Sequence, residues 1–328
     1  MKHVSILLPE GPFSMSNVDG ALKIFTRVNA LQSEKGKPPL FHLQLVGLSK
    51  KPKGGDNHCR LFPDCLPEEV STTNLVLIPA LQGDLEAAVA LNADFVPWIV
   101  HQHRRGAAVA SLCLGAFLLA STGLLAGKRC TTHWAASAAF RKMFPDVQLL
   151  EEAVLVDEGD LYSSGGGYSF LHLLLYLVER AAGRETALFL AKLFEIDIDR
   201  DSQAPFMIFD GQKDHADPMI RKAQVFIERH VRQRISVDGV AVALALGRRA
   251  LERRFRQATG HSVGAYIQRL RVELAKVRLE SSRDNVYAVM SQVGYSDAKA
   301  FRDVFRRITG LSPLEYKRRY GLRTPTTP

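Results

Sequence analysis

The chain has 328 residues, of which 46% are hydrophobic and 23% charged, a balance ordinary for a soluble globular protein. This length excludes a chain that needs a metal or a disulfide to complete its core, and it predicts two domains. No apolar run is long enough for a signal peptide or a membrane span, so we expect a cytoplasmic protein with no membrane partner.

The cysteines and the charges narrow the function further. Cys59, Cys65, Cys113 and Cys130 contain no CxxC pair and no zinc spacing, so we expect free thiols, no metal and no cofactor. The net charge is +9, but residues 214–328 carry 23 Lys and Arg against 11 Asp and Glu, whereas residues 1–213 have a net charge of −3. This asymmetry predicts a polyanionic partner at the C-terminal end, although a merely solvated Arg-rich surface would look similar.

The first part of the chain alternates short apolar strands with amphipathic helices. Strands are predicted at Val4–Pro9, His42–Leu48, Leu75–Pro79 and Ala107–Ser111, then at Val147–Leu149, Val154–Asp157 and Leu161–Ser163. Amphipathic helical stretches are predicted at Val18–Leu31, Asp84–His103, Tyr168–Ala182 and Thr186–Phe194. The alternation predicts an α/β domain over residues 1–195, with a parallel sheet covered by helices on both faces.

A change of composition separates this domain from the rest. Residues 196–217 are rich in Asp, Gln, Gly, Pro and Lys, which predicts a linker, and Asp217-Pro218 is a typical helix start. Beyond it strand patterns vanish. We predict an all-α domain over residues 218–322 and a flexible tail over residues 323–328.

The basic half contains an internal duplication. Phe255-Arg256-x-x-Thr259-Gly260-x-Ser262-x-x-x-Tyr266 recurs fifty residues later, from Phe305 to Tyr316. In each copy a short apolar helix and a tight turn precede an Arg-rich helix, which is typical of a helix-turn-helix unit whose second helix enters the major groove. A helix over Val263–Glu280 would join the copies, with Ile267, Leu270, Leu274 and Val277 on one buried stripe.

The exposed faces of the two Arg-rich helices supply the predicted DNA contacts. Ser296 is also predicted to be the N-cap of the second of these helices. Arginine and lysine side chains there can bind guanine edges or phosphates. An Arg-rich protein-binding surface is the alternative. The predicted DNA-binding residues are Arg248, Arg249, Glu252, Arg253, Arg256, Ser296, Lys299, Arg302 and Arg306.

The second turn and the helix after it carry a recognisable set of residues, from Val293-Gly294-Tyr295-Ser296-Asp297 to Phe301, Phe305, Thr309-Gly310-Leu311-Ser312-Pro313 and Tyr316. With these residues, the segment 218–320 resembles the AraC/XylS family of bacterial regulators. The resemblance implies a bihelical double helix-turn-helix domain that binds double-stranded promoter DNA and works with RNA polymerase. The chain departs from the family at Ala245, Gly247 and Met290.

A cysteine follows the strand over Ala107–Ser111, and small residues then open a helix. This layout is that of a nucleophile elbow, in which the thiol faces a helix N-terminus that favours a thiolate or a bound anion. His133 and Trp134 follow in a segment that could face Cys113, and Trp134 beside His133 could line a pocket for a cationic ligand.

The motifs Ser111–Phe117, Gly123-Leu124-Leu125 and Thr131–Trp134 make residues 4–194 similar to the class I glutamine amidotransferase-like (ThiJ/PfpI) superfamily, in the branch fused to AraC-type readers. The resemblance implies a flavodoxin-like α/β sandwich that forms homodimers and responds to a small effector such as an amine, amino acid or betaine. Relatives carry acidic residues at two positions that accompany the cysteine. At these positions this chain has Asn17 and the segment from Ser164 to His172. Cys113 could therefore line a ligand pocket, be structural, or retain hydrolase or deglycase activity.

Taken together, these features predict a sequence-specific transcriptional regulator, expected to be an activator, and not an enzyme. The candidate effector-binding residues are Asn17, Cys113, Leu114, His133, Trp134 and His172. Two other functions remain open: a cysteine-dependent amidase or deglycase with a DNA-localising tail, and an architectural DNA binder that senses no ligand.

Overall fold

The computed structural model describes residues 1–56 and 59–322. The predicted tail, residues 323–328, lies outside the described residues, as does the side chain of Cys59, whereas Cys65, Cys113 and Cys130 are free thiols. The chain divides into two units, Met1–Gln203 and Ala204–Pro328. No helix in the described residues is long and apolar enough to cross a membrane.

The first unit is built on a six-stranded sheet in the order β2-β1-β5-β6-β10-β9. All neighbours in it pair in parallel except β10 and β9. Among its described residues the unit has ten strands: β1 (Lys2–Leu8), β2 (Phe41–Gly47), β3 (Lys53–Asp56), β4 (Cys59–Leu61), β5 (Leu75–Ile78), β6 (Ala108–Ser111), β7 (Arg129–Cys130), β8 (Gln148–Leu149), β9 (Leu155–Asp157) and β10 (Leu161–Ser164). The predicted parallel core is confirmed, with one antiparallel edge strand.

Helices cover both faces of this sheet, as predicted. They are α1 (Met15–Glu34), α2 (Leu85–Leu91), α3 (Phe95–Arg104), α4 (Ala116–Ser121), α5 (Ser137–Met143), α6 (Phe170–Ala182) and α7 (Arg184–Leu193). Successive residues of β1 point to opposite faces: Ile6 packs into a core with α1, α6 and α7, and Leu7 into a core with α3, α4 and α5. The fold is the flavodoxin-like sandwich expected from the sequence.

The amphipathic stretch Asp84–His103 was predicted as one helix but forms two. Asn92 is fully buried just after α2, where its Nδ2 donates to the carbonyls of Ala88 at 2.9 Å and Glu10 at 3.0 Å. Its Oδ1 accepts the Glu10 N–H at 2.8 Å. These bonds to a distant loop end the helix, and Asp94 starts the next one.

Residues 196–217, predicted as a linker, divide between the two units. In the first unit, Gln203 is 2% exposed and bonds the backbone of Gly166 and Thr132 at 2.8 and 2.9 Å. In the second unit, the Gly211 carbonyl accepts the Tyr266 hydroxyl at 3.1 Å. Much of the segment is therefore part of the folded units.

The second unit contains seven helices within the described residues. They are α8 (Pro218–His230), α9 (Val237–Ala243), α10 (Arg248–Thr259), α11 (Val263–Ser281), α12 (Val286–Gln292), α13 (Ala298–Thr309) and α14 (Pro313–Tyr320). They enclose two separate cores, one around Phe255 and one around Phe305. This arrangement confirms the all-α, bihelical prediction.

Helix α11 serves both cores, and this changes its predicted buried stripe. Val263 and Ile267 pack into the first core, whereas Val272 and Leu279 pack into the second. The single stripe ending at Val277 was wrong, because Val277 is 52% exposed. A helix that feeds two cores does not bury one continuous stripe.

Candidate DNA interface and effector site

The two copies of the repeat fold alike. In the first copy, Thr259 Oγ1 donates to the Phe255 carbonyl at 2.8 Å, and Gly260 ends α10 with a φ of +74°. The Tyr266 ring meets Phe255 edge-on, with centroids 5.1 Å apart. The second copy repeats these contacts fifty residues on, with values of 2.9 Å, +73° and 5.5 Å, at Phe305, Thr309, Gly310 and Tyr316.

These contacts present one face of each recognition helix to solvent. In α10, Leu251 and Phe255 are fully buried, so the stripe at i, i+4 and i+7 on the other side is exposed: Arg249, Arg253 and Arg256. In α13, Phe301 and Phe305 are buried, and the matching exposed stripe is Lys299, Asp303 and Arg306. Five of these six residues are cations, which suits a groove lined by phosphates.

Other predicted DNA residues flank these stripes. Arg248 is exposed and pairs with both oxygens of Asp238 at 3.2 and 3.0 Å. Arg302 is exposed beside the second stripe. Glu252 is only partly exposed, and its Oε2 accepts the Val263 N–H at 3.4 Å, so it is partly engaged in the fold.

The N-cap of α13 is Asp297 and not Ser296, which corrects the prediction. Asp297 Oδ1 accepts the N–H groups of Lys299 at 2.8 Å and Ala300 at 3.1 Å. These bonds hold the pKa of Asp297 below its usual range. Ser296 is exposed one residue earlier and stays a candidate for groove contact.

A second residue missed from the sequence is Arg254. Its Nε and Nη2 bond both oxygens of Asp217 at 2.9 and 2.7 Å, while Asp217 also caps the start of α8. The guanidinium lowers the pKa of Asp217. Arg254 comes three residues after buried Leu251, so its position on the inner side of α10 was the available signal.

In the first unit, the strand, turn and helix predicted around Cys113 are present. Cys113 adopts a φ of +54° between β6 and α4, and its N–H donates to Ser164 Oγ at 3.2 Å. A Cβ on Gly115 would lie 2.3 Å from the Ile78 carbonyl oxygen, so only glycine fits there. The turn is thus clamped between β5 and β10.

Burial and backbone hydrogen bonds act on the pKa of the Cys113 thiol in opposite directions. Cys113 is 7% exposed, and burial raises the pKa of its thiol. The backbone N–H groups of Leu114 and Gly167 act in the opposite direction with a smaller effect. Helix α4, which follows the turn, has six residues, and the net effect on the Cys113 thiol is a raised pKa, which disfavours the thiolate.

His133 and Trp134 lie in the same neighbourhood. Thr132 Oγ1 donates to the Cys113 carbonyl at 3.0 Å, and a Cβ on Gly166 would lie 2.4 Å from Cδ2 of His133. Burial lowers the pKa of His133. The Ala135 N–H donates to His133 Nδ1 at 3.1 Å, so the neutral ring carries its proton on Nε2, and the Trp134 ring lies 5.5 Å away.

The remaining candidates are placed differently. Asn17 is 2% exposed, and its Oδ1 accepts the Ala80 N–H at 2.9 Å, beside the strand end that contacts Gly115. The nearest carboxylate in the chain, Asp19, was not a candidate; it is exposed and pairs with Lys23 at 2.7 Å. His172 Nε2 bonds the Asp197 carbonyl at 2.7 Å. Within the described residues, no cluster of three His, Cys, Asp or Glu could hold a metal ion.

Comparison with known proteins gives one family match in each unit. The DJ-1/PfpI family model matches residues 24–180, and a helix-turn-helix domain model matches residues 240–319. The HTH-type transcriptional regulator GbdR of Pseudomonas aeruginosa is 23% identical over 317 residues, which cover 95% of this chain and 83% of that protein.

Two further similarities point the same way. The HTH-type transcriptional regulator ArgR of Pseudomonas aeruginosa is 28% identical over 227 residues, covering 68% of this chain and 69% of that protein. The crystal structure of an AraC family transcriptional regulator from Pseudomonas putida superposes with a TM-score of 0.50 at 20% identity. The match covers 59% of this chain and 100% of that chain and shows a shared fold over that part.

Proposed function

We propose that this chain is a DNA-binding transcriptional regulator that joins a DJ-1/PfpI-like domain to an AraC-like helix-turn-helix domain, and that its two units divide the work. The second unit reads promoter DNA through the outward stripes of α10 and α13. The first unit binds a small effector beside Cys113. Effector binding changes how the helix-turn-helix units are presented to RNA polymerase, and we expect activation of transcription as the result.

The observation that carries the DNA proposal is the matched exposure of two cationic stripes on duplicated helices. A single Arg-rich helix is common on protein surfaces, but two that share a left-handed glycine at the C-terminal end and the same ring contacts indicate a pair of DNA-binding helices. In this proposal Arg249, Arg253 and Arg256 face one segment of major groove, and Lys299, Arg302 and Arg306 face another. The edges of the two groove segments are contacted by the flanking residues Arg248, Glu252 and Ser296.

The effector proposal rests on the cluster beside Cys113. Buried Asn17, the thiol and backbone of Cys113 and Leu114, and the partly exposed rings of His133 and Trp134 offer polar and aromatic contacts at one sheet edge. A neutral His133 next to an indole suits a small cationic amine, amino acid or betaine. His172, whose Nε2 bonds the Asp197 carbonyl, is included in the proposed site as a further polar group.

We propose that the first unit is not an enzyme. Burial raises the pKa of the Cys113 thiol, and Asn17, whose Oδ1 accepts the Ala80 N–H, stands where the resemblance implies an acid. An amidase or deglycase would require a base that ionises Cys113. Release of product from amides or glyoxals by the wild type, and none by Cys113→Ala, would reverse this proposal.

We also propose that the chain forms a homodimer through its first unit. Helix α7 leaves Phe189 and Leu193 exposed by 43% and 48%, one turn apart, and Phe194 follows them. Apolar side chains arranged in this way fit the same stripe on a second copy. Light scattering should show a dimer for the wild type and a monomer for Leu193→Glu.

The decisive experiment is selection of bound duplexes from a random DNA pool by the full chain and by Arg249→Ala in parallel. We expect the wild type to enrich two boxes about one helical turn apart, and the variant to relax one of them. If binding is salt-sensitive but no sequence is enriched, the cations contact phosphates without base specificity, and the proposal of sequence-specific binding is rejected. A thermal-shift series with amines, amino acids and betaines tests the effector, with Cys113→Ala as the matched variant.

A further inference from the structure

The outward stripes of the two recognition helices differ at one position. In α10 the stripe consists of three arginines, Arg249, Arg253 and Arg256, all exposed. In α13 the residue fifty positions after Arg253 is Asp303, which is exposed between Lys299 and Arg306. The structure thus places a carboxylate at the centre of one reading surface and a guanidinium at the centre of the other.

Asp303 is positioned for contact with DNA and not for stabilising the fold. It lies two residues from buried Phe301 and two from buried Phe305, so it points away from the core. The cap of α13 is supplied by Asp297, whose oxygen is already engaged by backbone N–H groups, so Asp303 is not needed there. A carboxylate in a groove lined by phosphates is repelled unless it accepts a hydrogen bond from a base.

The hydrogen-bonding groups of the bases limit which base Asp303 can bind. In the major groove a carboxylate accepts from the N4 amino group of cytosine, whereas arginine donates to the O6 and N7 of guanine. The adjacent pair is also reversed between the copies: Glu252-Arg253 in α10 corresponds to Arg302-Asp303 in α13. Glu252 is partly engaged by the Val263 N–H, whereas Asp303 is exposed, so the carboxylate that can reach a base lies in the second copy.

We propose that Asp303 is a specificity-determining residue that selects a cytosine in the half-site bound by α13. At the matching position of the half-site bound by α10, Arg253 selects a guanine on the DNA strand that it contacts. The two boxes of the operator are therefore different, and this difference sets the direction in which each chain lies on the DNA. The inference rests on the DNA-reading function proposed above.

The test is selection from a random DNA pool with the full-length wild type, Asp303→Ala, Asp303→Arg and Arg253→Ala. Asp214→Ala is the matched control, because it removes an exposed carboxylate of the same unit outside both recognition helices. Arg253→Ala identifies the box read by α10. In the other box we expect Asp303→Ala to lose the cytosine preference by about tenfold and Asp303→Arg to favour guanine there.

The outcomes separate this inference from the function on which it rests. Two enriched boxes whose base frequencies are the same in wild type and Asp303→Ala would overturn the role of Asp303 and leave the reader intact. Equal changes with Asp214→Ala would also overturn it, since overall charge would then be the cause. If the wild type enriches no sequence at all, the specific reader fails and the role of Asp303 fails with it. Melting curves of each variant confirm that the second unit is folded.

Discussion

Ala245 and Gly294 occupy the same position in the two helix-turn-helix turns, two residues past the ends of α9 and α12, and both have a positive φ, of +52° and +86°. Only Gly294 is a glycine, the residue that adopts this conformation without steric cost. A Cβ there would lie 2.9 Å from the Arg232 carbonyl oxygen. The first turn is therefore strained by its alanine, and the second has no room for one.

Exchanging these residues should change stability in opposite directions. We expect Ala245→Gly to raise the free energy of unfolding of the second unit by about 1 kcal/mol, since it relieves the left-handed alanine. Gly294→Ala should lower it by more, because it adds a backbone contact to the same strain. Urea titration followed by the helical circular dichroism signal measures both. A loss of stability in Ala245→Gly would contradict the strain.

The correction at the start of α13 makes a second prediction. Asp297→Ala should lower the melting temperature and weaken binding to the box read by α13, because two backbone N–H groups lose their acceptor. Ser296→Ala should leave the melting temperature unchanged. Since the folded protein lowers the pKa of Asp297, the difference from wild type should be present at neutral pH and disappear as the pH falls through that lowered pKa. Equal melting temperatures for the two variants at pH 7 would contradict the assignment.

A third prediction concerns the protonation of His133. Burial lowers its pKa from the usual value of 6.5, so its imidazole should titrate below pH 6.5 and carry its proton on Nε2 at neutral pH. Nitrogen-15 NMR of the histidine rings measures both properties. Gly166→Ala should push the ring aside and raise the midpoint, whereas Gly264→Ala, which has open space around it, should not. A midpoint above 6.5 in the wild type would rule out the neutral ring.

Alkaline stability supplies a fourth prediction. Burial raises the pKa of Cys130 from 9.0 to about 12, so the folded state keeps a proton that the unfolded chain loses. Stability from this group is complete below pH 9 and declines as the pH rises towards 12. Over that range the wild type should lose about 1.4 kcal/mol per pH unit more than Cys130→Ser.

The measurement for Cys130 can be restricted to the first unit. Both tryptophans of the chain, Trp98 and Trp134, belong to that unit, so tryptophan fluorescence in urea reports its unfolding alone. Parallel pH profiles for wild type and Cys130→Ser would show that the thiol stays accessible to hydroxide in the folded state.

Local periodicity explains why so much of the fold could be predicted. The strand at Leu75–Ile78 is apolar on both faces, and Leu251 and Phe255 repeat at helical spacing, so their elements follow from the sequence. The repeated Thr-Gly and Tyr positions are capping and ring contacts within one turn or one hairpin. Such contacts depend on near neighbours, which sequence spacing preserves.

The misplaced features depend on distant partners. Asn92 ends α2 because Glu10, far away in the chain, accepts and donates its bonds. Burial of the turn raises the pKa of the Cys113 thiol, an effect that no sequence spacing reveals. The cap of α13 was missed for a different reason, since Ser296 and Asp297 are both good caps and only the backbone conformation selects between them.

Because α11 packs into both cores, its length sets the distance between the two helix-turn-helix units. Its 19 residues form one continuous rod of about 28 Å, with one reader fastened to each half. Adding one residue at its middle would rotate one reader by about 100° relative to the other and advance it by about 1.5 Å. In the two-box binding mode proposed above, the spacing and phase of the DNA boxes are therefore set by the length of one helix.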